Sequence, residues 1–140
     1  MPDELTLVAL GTMVVELRPP QVLADTPGGT RMIFEVASGT VEGDRLRAEV
    51  VGTANADWLV VGSDGTGTLD VRVLLQTHDG ALVFVQYNGR VDTTAAAAPI
   101  YTSPRFDTGD ERYAWLNRLQ AVAKGGLDGS TLTYDIYELR

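Results

Sequence analysis

Residues 55–90 read NADWLVVGSDGTGTLDVRVLLQTHDGALVFVQYNGR. Two apolar runs rich in β-branched residues flank the polar turn Thr77-His78-Asp79-Gly80, the pattern of a β-hairpin. Side chains along a strand repeat every two residues, so Asp70 and Arg72 share one face of the first run. Leu69, Val71, Val73 and Leu75 share the other. On the second run Val83, Val85 and Tyr87 oppose Leu82, Phe84, Gln86, Asn88 and Arg90. An Asp and an Arg in mid-strand among aliphatics are costly to bury unless paired or used chemically.

The same period extends outward in both directions. Thr30–Ala37 alternates Met32, Phe34 and Val36 against Arg31, Ile33, Glu35 and Ala37, and Arg45–Gly52 alternates Leu46, Ala48 and Val50 against charged neighbours. Leu5–Leu17 is β-branched and reads as a strand bent at Gly11, and Thr131–Leu139 (TLTYDIYEL) reads as a closing strand. Gln21–Thr30 and Ser38–Asp44 read as turns or loops. Asp92–Arg105, with its four alanines, reads as a loop long enough to suggest function. A helix is expected over about residues 108–124. Thr108 and Glu111 have capping-box spacing, with Asp110 as the alternative cap. An apolar stripe runs through Trp115, Leu116, Leu119, Val122 and Ala123, and Gly125 sits where a helix would end. Some seven or eight short strands and one helix predict a sandwich or barrel in one domain spanning residues 1–140.

Composition narrows the function classes. The net charge is −8, from 19 acidic and 11 basic residues, which disfavours nucleic acid and anionic membrane surfaces as partners. There is no cysteine, so disulfides, thiolate nucleophiles and Cys-ligated metals are excluded. The N-terminus starts acidic and is interrupted by Gly11, Thr12 and Glu16, unlike a signal peptide or membrane span, and a cytoplasmic protein is expected. His78 is the sole histidine, too few for a histidine-based zinc site, and no EF-hand spacing is present. Gly62–Gly67 leads into a strand rather than a helix, and no G-x-S-x-G elbow occurs, so neither a phosphate loop nor that hydrolase signature is present.

Six motifs occur in a familiar order: SGTVEG (38–43), NADW (55–58), GTLDVR (67–72), HDGALVFVQYNGR (78–90), FDTGDERYAWLN (106–117) and YDIYEL (134–139). On these the chain resembles the DUF3237 family, also described as UPF0311, small bacterial proteins with a calycin-like (lipocalin-like) β-barrel. The resemblance covers nearly the whole chain; the segment 12–29 departs most. It implies a mainly β, antiparallel barrel with an interior pocket that holds small apolar molecules or catalyses ring closures, isomerisations and eliminations on them. It supplies no catalytic residue set.

The residues themselves supply candidates. If the face of Asp70 and Arg72 lines the cavity, Asp70 serves as acid or base and Arg72 steadies developing negative charge. Trp58 can stack on a planar ligand, and Asp57 beside it is a second candidate acid, with turn acceptor as the plainer role. Glu35 and Glu49 join them if their face is interior, solvation outside being the alternative. Tyr87 and Asn88 lie near a strand end that could form the barrel mouth, and Tyr101, with Phe106, flanks the long loop as a candidate lid. The expected function is a cofactor-independent enzyme doing acid/base chemistry (cyclase, isomerase or lyase) on a moderately apolar, oxygenated small molecule, with no metal. The alternatives are a non-catalytic carrier with a greasy interior and an assembly protein packed solid. A homodimer is compatible with the sequence, which does not decide it.

Overall fold

The computed structural model describes residues 4–140; Met1–Asp3, which open the acidic N-terminus, lie outside the described residues. The strands are β1 (Leu7–Leu17), β2 (Gln21–Thr26), β3 (Gly29–Glu42), β4 (Arg47–Val50), β5 (Ala56–Val61), β6 (Thr66–Thr77), β7 (Leu82–Asp92), β8 (Ile100–Thr102), β9 (Arg105–Asp107), β10 (Ala121–Asp128) and β11 (Thr131–Leu139). A 3₁₀ helix, Glu111–Arg118, lies between β9 and β10. Eight strands close a ring in the order β6-β5-β3-β1-β11-β10-β8-β7, with β7 returning to β6, and every pairing is antiparallel. The expected antiparallel barrel is therefore present. β4 bridges β3 and β6, while β2 and β9 extend β3 and β7.

The predicted hairpin forms as read: β6 and β7 pair from Thr66↔Asp92 to Gln76↔Leu82, and Gly80 takes φ 92° in the turn, a conformation glycine adopts without penalty. The bend foreseen at Gly11 is a register shift in β1 between Ala9 and Gly11. Three other expectations are corrected. Gln21–Thr26 is a strand rather than a loop, because the long β3 offers an edge beyond the point where Pro19 and Pro20 break β1. β3 also runs straight through Ser38–Glu42, where a turn was expected. Most consequentially, the helix is a 3₁₀ helix that stops at Arg118, and Ala121–Asp128 is a strand. Every residue from Ala121 to Asp128 pairs with β11, and Ala123–Gly125 also pair with β8, so cross-strand bonding overrides the helical spacing of Leu119, Val122 and Ala123. Gly125 lies inside that strand. Asp110, not Thr108, caps the helix, accepting the Arg112 N–H at 2.9 Å.

Packing divides the barrel along its axis. At one end Leu46, Leu75, Val83 and Leu116 are almost wholly buried and plug the interior. The 3₁₀ helix is clamped over this end: Asp79, in the β6–β7 turn, accepts hydrogen bonds from Thr77 (2.6 Å) and Tyr113 (2.7 Å) and faces Arg112 at 3.3 Å. Thr77 and Tyr113, with Arg112 behind them, hold the Asp79 carboxyl down at about 2. The other end is hollow. Among the described residues no helix is long and apolar enough to cross a membrane.

Candidate functional site

The hollow end encloses a cavity of about 590 Å³, within the usual size range for a small-molecule site. Its walls come from Met32 and Phe34 on β3, Leu59 and Val61 on β5, Leu69 on β6, and Leu132 on β11. The loop Thr93–Pro99 supplies alanines to the rim. It is fixed by Thr93, whose N–H and hydroxyl both donate to the Gly65 carbonyl, and by Asp92, which accepts from Thr94.

Asp57 and Tyr134 are the polar groups at the cavity's inner wall. Phe34, Asp57, Val71 and Tyr87 form one register row across β3, β5, β6 and β7, and directly paired residues share a face. All four therefore point inward. Asp57 Oδ1 accepts the backbone N–H of Asp70 at 3.1 Å, where pairing between β5 and β6 is interrupted at Trp58 and Leu59. Its second oxygen has no protein partner among the described residues. Burial pushes the Asp57 carboxyl up to about 7; the Asp70 N–H pulls it down and the Asp70 carboxylate pushes it further up, each less strongly. A group titrating there can give or accept a proton near neutrality.

Tyr134 reaches in from β11 on the far side of the ring. It is 2% exposed, and its hydroxyl is buried beside that of Tyr87, with no hydrogen bond of ordinary geometry among the described residues. Native proteins rarely strand a buried hydroxyl, so this one, on a side chain that lines the cavity, is a candidate ligand contact. Gly125 stands opposite Tyr134 in the β10–β11 ladder, and a Cβ there would lie 2.3 Å from Tyr134 Cδ1. The missing side chain is the space the ring occupies. Tyr87 packs edge-on against Tyr134 with ring centroids 5.9 Å apart. Burial holds both phenols well above their ordinary range, helped for Tyr87 by Tyr134 and then Asp57 and for Tyr134 by Asp57, so both stay protonated at physiological pH.

Of the residues singled out in the sequence, the fold brings Asp57 and Tyr87 to this place. Asp70 and Arg72 are corrected: both are exposed on the outer wall. Alternation separates two faces without saying which is inside, and burying Leu69, Val71, Val73 and Leu75 outweighs burying two charges. Trp58 is 54% exposed beside Ile33 on the outside, so it stacks on nothing in the cavity. Glu49 is exposed and borders a separate polar depression with Thr40, Gln76 and His78, and Glu35 is exposed near Arg18. Asn88 is exposed, its amide donating to the Leu69 carbonyl. Tyr101 is exposed beneath Lys124, and Phe106 is in the core, so neither lids the cavity. The sequence reading does not single out Tyr134, for which the alternation with Leu132 and Ile136 in TLTYDIYEL is the available signal. Nor does it single out Asn55, which is a buried structural anchor: its Oδ1 accepts the Leu74 N–H at 2.7 Å, and its amide donates to the Val51 and Gly52 carbonyls. Among the described residues no three His, Asp or Glu side chains gather as a metal ion would require.

Three relatives place this barrel among known proteins. The hydroalkoxylation enzyme phnH of Penicillium herquei is 30% identical over 103 residues, covering 74% of this chain and 62% of that protein, so the chain spans less than two thirds of that relative. A UPF0311 protein of Rhodopseudomonas palustris is 25% identical, covering 79% of this chain and 81% of the relative. A solved β-barrel-like protein from Acinetobacter baumannii matches with a TM-score of 0.91 at 29% identity, covering 100% of this chain and 99% of that one. The family model described as "Protein of unknown function (DUF3237)" matches residues 5–139, and the chain belongs to that family.

Proposed function

We propose that this protein is a small-molecule enzyme that moves protons at Asp57 to add a hydroxyl group across a carbon–carbon double bond, or to run the related isomerisation or elimination, on an apolar oxygenated substrate. The observation that carries the reading is a carboxyl titrating at about 7 in the wall of a largely apolar cavity. The relative named as a hydroalkoxylation enzyme supports it from a different direction. Such an addition is redox-neutral, so one proton acceptor and one proton donor suffice. Asp57 Oδ2 takes the proton of the substrate hydroxyl as its oxygen bonds to the double bond's far carbon. The π pair moves onto the near carbon, conjugated with a carbonyl, and Asp57 returns the proton there. Tyr134 donates a hydrogen bond to the carbonyl oxygen as charge gathers on it, the role assigned in the sequence to Arg72. The apolar walls hold the two ends of the substrate in reach and keep water away from the intermediate.

A carrier of apolar ligands is the second reading, favoured by the hydrocarbon character of Met32, Phe34, Leu59 and Leu132 around the space. Screening oxygenated metabolites by thermal shift identifies ligands, because binding to the folded state alone raises the melting point. Asp57→Asn is then expected to lower kcat by about 10²–10⁴-fold while affinity stays within about tenfold, and Tyr134→Phe to lower kcat less. Turnover by Asp57→Asn equal to the parent's would overturn the catalytic reading.

A further inference from the structure

We propose that the cavity admits hydroxylated compounds that carry no negative charge and rejects their carboxylate and phosphate counterparts, with Asp57 and Asp92 setting the selection. The proposal rests on the reading of this cavity as the ligand site and adds the charge class of what enters it. Among the described residues Asp57 and Asp92 are the charged ones lining the space, and no lysine or arginine is with them. The nearby guanidinium of Arg72 is exposed on the outer wall, and Arg90 is exposed as well. An anion entering would lose its hydration with no cation to replace it, at a wall that already carries two carboxyls. At the rim Asp92 accepts from both the N–H and the hydroxyl of Thr94, contacts that hold it in its ionised form. The inner wall offers a hydroxyl its complement: among the described residues the Tyr134 hydroxyl, beside Tyr87, makes no hydrogen bond of ordinary geometry, and Asp57 keeps one oxygen uncommitted.

The groups facing Asp57 leave one titration in play between pH 5 and 9. Tyr87 and Tyr134 remain protonated across that range, Phe34 and Val71 do not ionise, and Asp70 lends its backbone N–H while its side chain faces out.

Three naphthalene probes of one shape separate the cases: 2-naphthol, 2-naphthoate and the 2-naphthylmethylammonium ion. Dissociation constants are measured on the whole protein by titration calorimetry. At pH 8, 2-naphthol is expected to bind at least about tenfold more tightly than 2-naphthoate. Naphthoate is ionised throughout pH 5–9, so its affinity should fall on the order of 100-fold across that range, as the fraction of protein with a neutral Asp57 falls. In Asp57→Asn that fall should vanish. Should the variant not fold, the profile of the unaltered protein and of Asp92→Asn, which should admit naphthoate more readily at every pH, carries the test. Naphthoate binding as tightly as naphthol at pH 8, a flat pH profile, or naphthoate binding more tightly than the ammonium probe would each overturn the proposal. These are equilibrium measurements without turnover. Charge selection with unchanged turnover in Asp57→Asn sinks the catalytic reading alone, and lost turnover without charge selection sinks this one alone.

Discussion

Replacing Asp57 by asparagine tests the placement of that carboxyl before any substrate is known. The amide is nearly isosteric, and its oxygen can still accept the Asp70 N–H that Oδ1 accepts at 3.1 Å. What disappears is ionisation. In the folded protein the carboxyl titrates at about 7 against an ordinary value of 3.8. At 1.36 kcal/mol per tenfold step in acidity the difference corresponds to roughly 4 kcal/mol as a ceiling. Below pH 3.8 both folded and unfolded chains hold the proton. Between there and about 7 the unfolded chain releases it and the folded one keeps it, so this residue's support is lost as pH rises through the folded value. Asp57→Asn should therefore match the parent near pH 4 and exceed it by about 2–4 kcal/mol at pH 8.5, the lower figure allowing for water that enters the cavity. Urea unfolding at four pH values between 4 and 8.5 reads this directly, with the slope m expected to stay constant. A stability difference that does not grow with pH would mean the carboxyl is solvated, and the reasoning about its protons would fail with it.

Two further outcomes follow from the geometry. Asn55→Ala leaves the half-buried Leu74 N–H without its acceptor and removes the tie to the Val51 and Gly52 carbonyls, and chemical denaturation should show a loss of about 1–3 kcal/mol. Asp70→Asn and Arg72→Gln alter exposed side chains on the outer wall. Each should leave stability within about 0.5 kcal/mol and ligand affinity within about twofold, measured on the same thermal and calorimetric probes.

Local spacing determined a good deal by itself. The alternation in Thr66–Thr77, Leu82–Asp92 and Thr131–Leu139 separates the two faces of β6, β7 and β11 correctly, and Asp79-Gly80 marks the hairpin because only a tight turn asks for that pair there. Motif order pointed to an antiparallel barrel, and its closure is present. The choice of inner face, however, belongs to the closed ring. On β5, Asp57, Leu59 and Val61 alternate with Trp58 and Val60, and both sets are apolar enough to be buried. Pairing of Asp57 with Phe34 and Val71 is what turns the carboxyl inward and leaves the tryptophan out. The helical stripe near residue 120 failed for a related reason, since β8 and β11 bond to both edges of β10. Asp57, Tyr87 and Tyr134 come together only because β11 lies across the interior from β5 and β7. Periodicity acts between neighbours a few residues apart. A site assembled from positions 57, 87 and 134 is set by strand register and by the closing of the barrel, which no stretch of sequence contains.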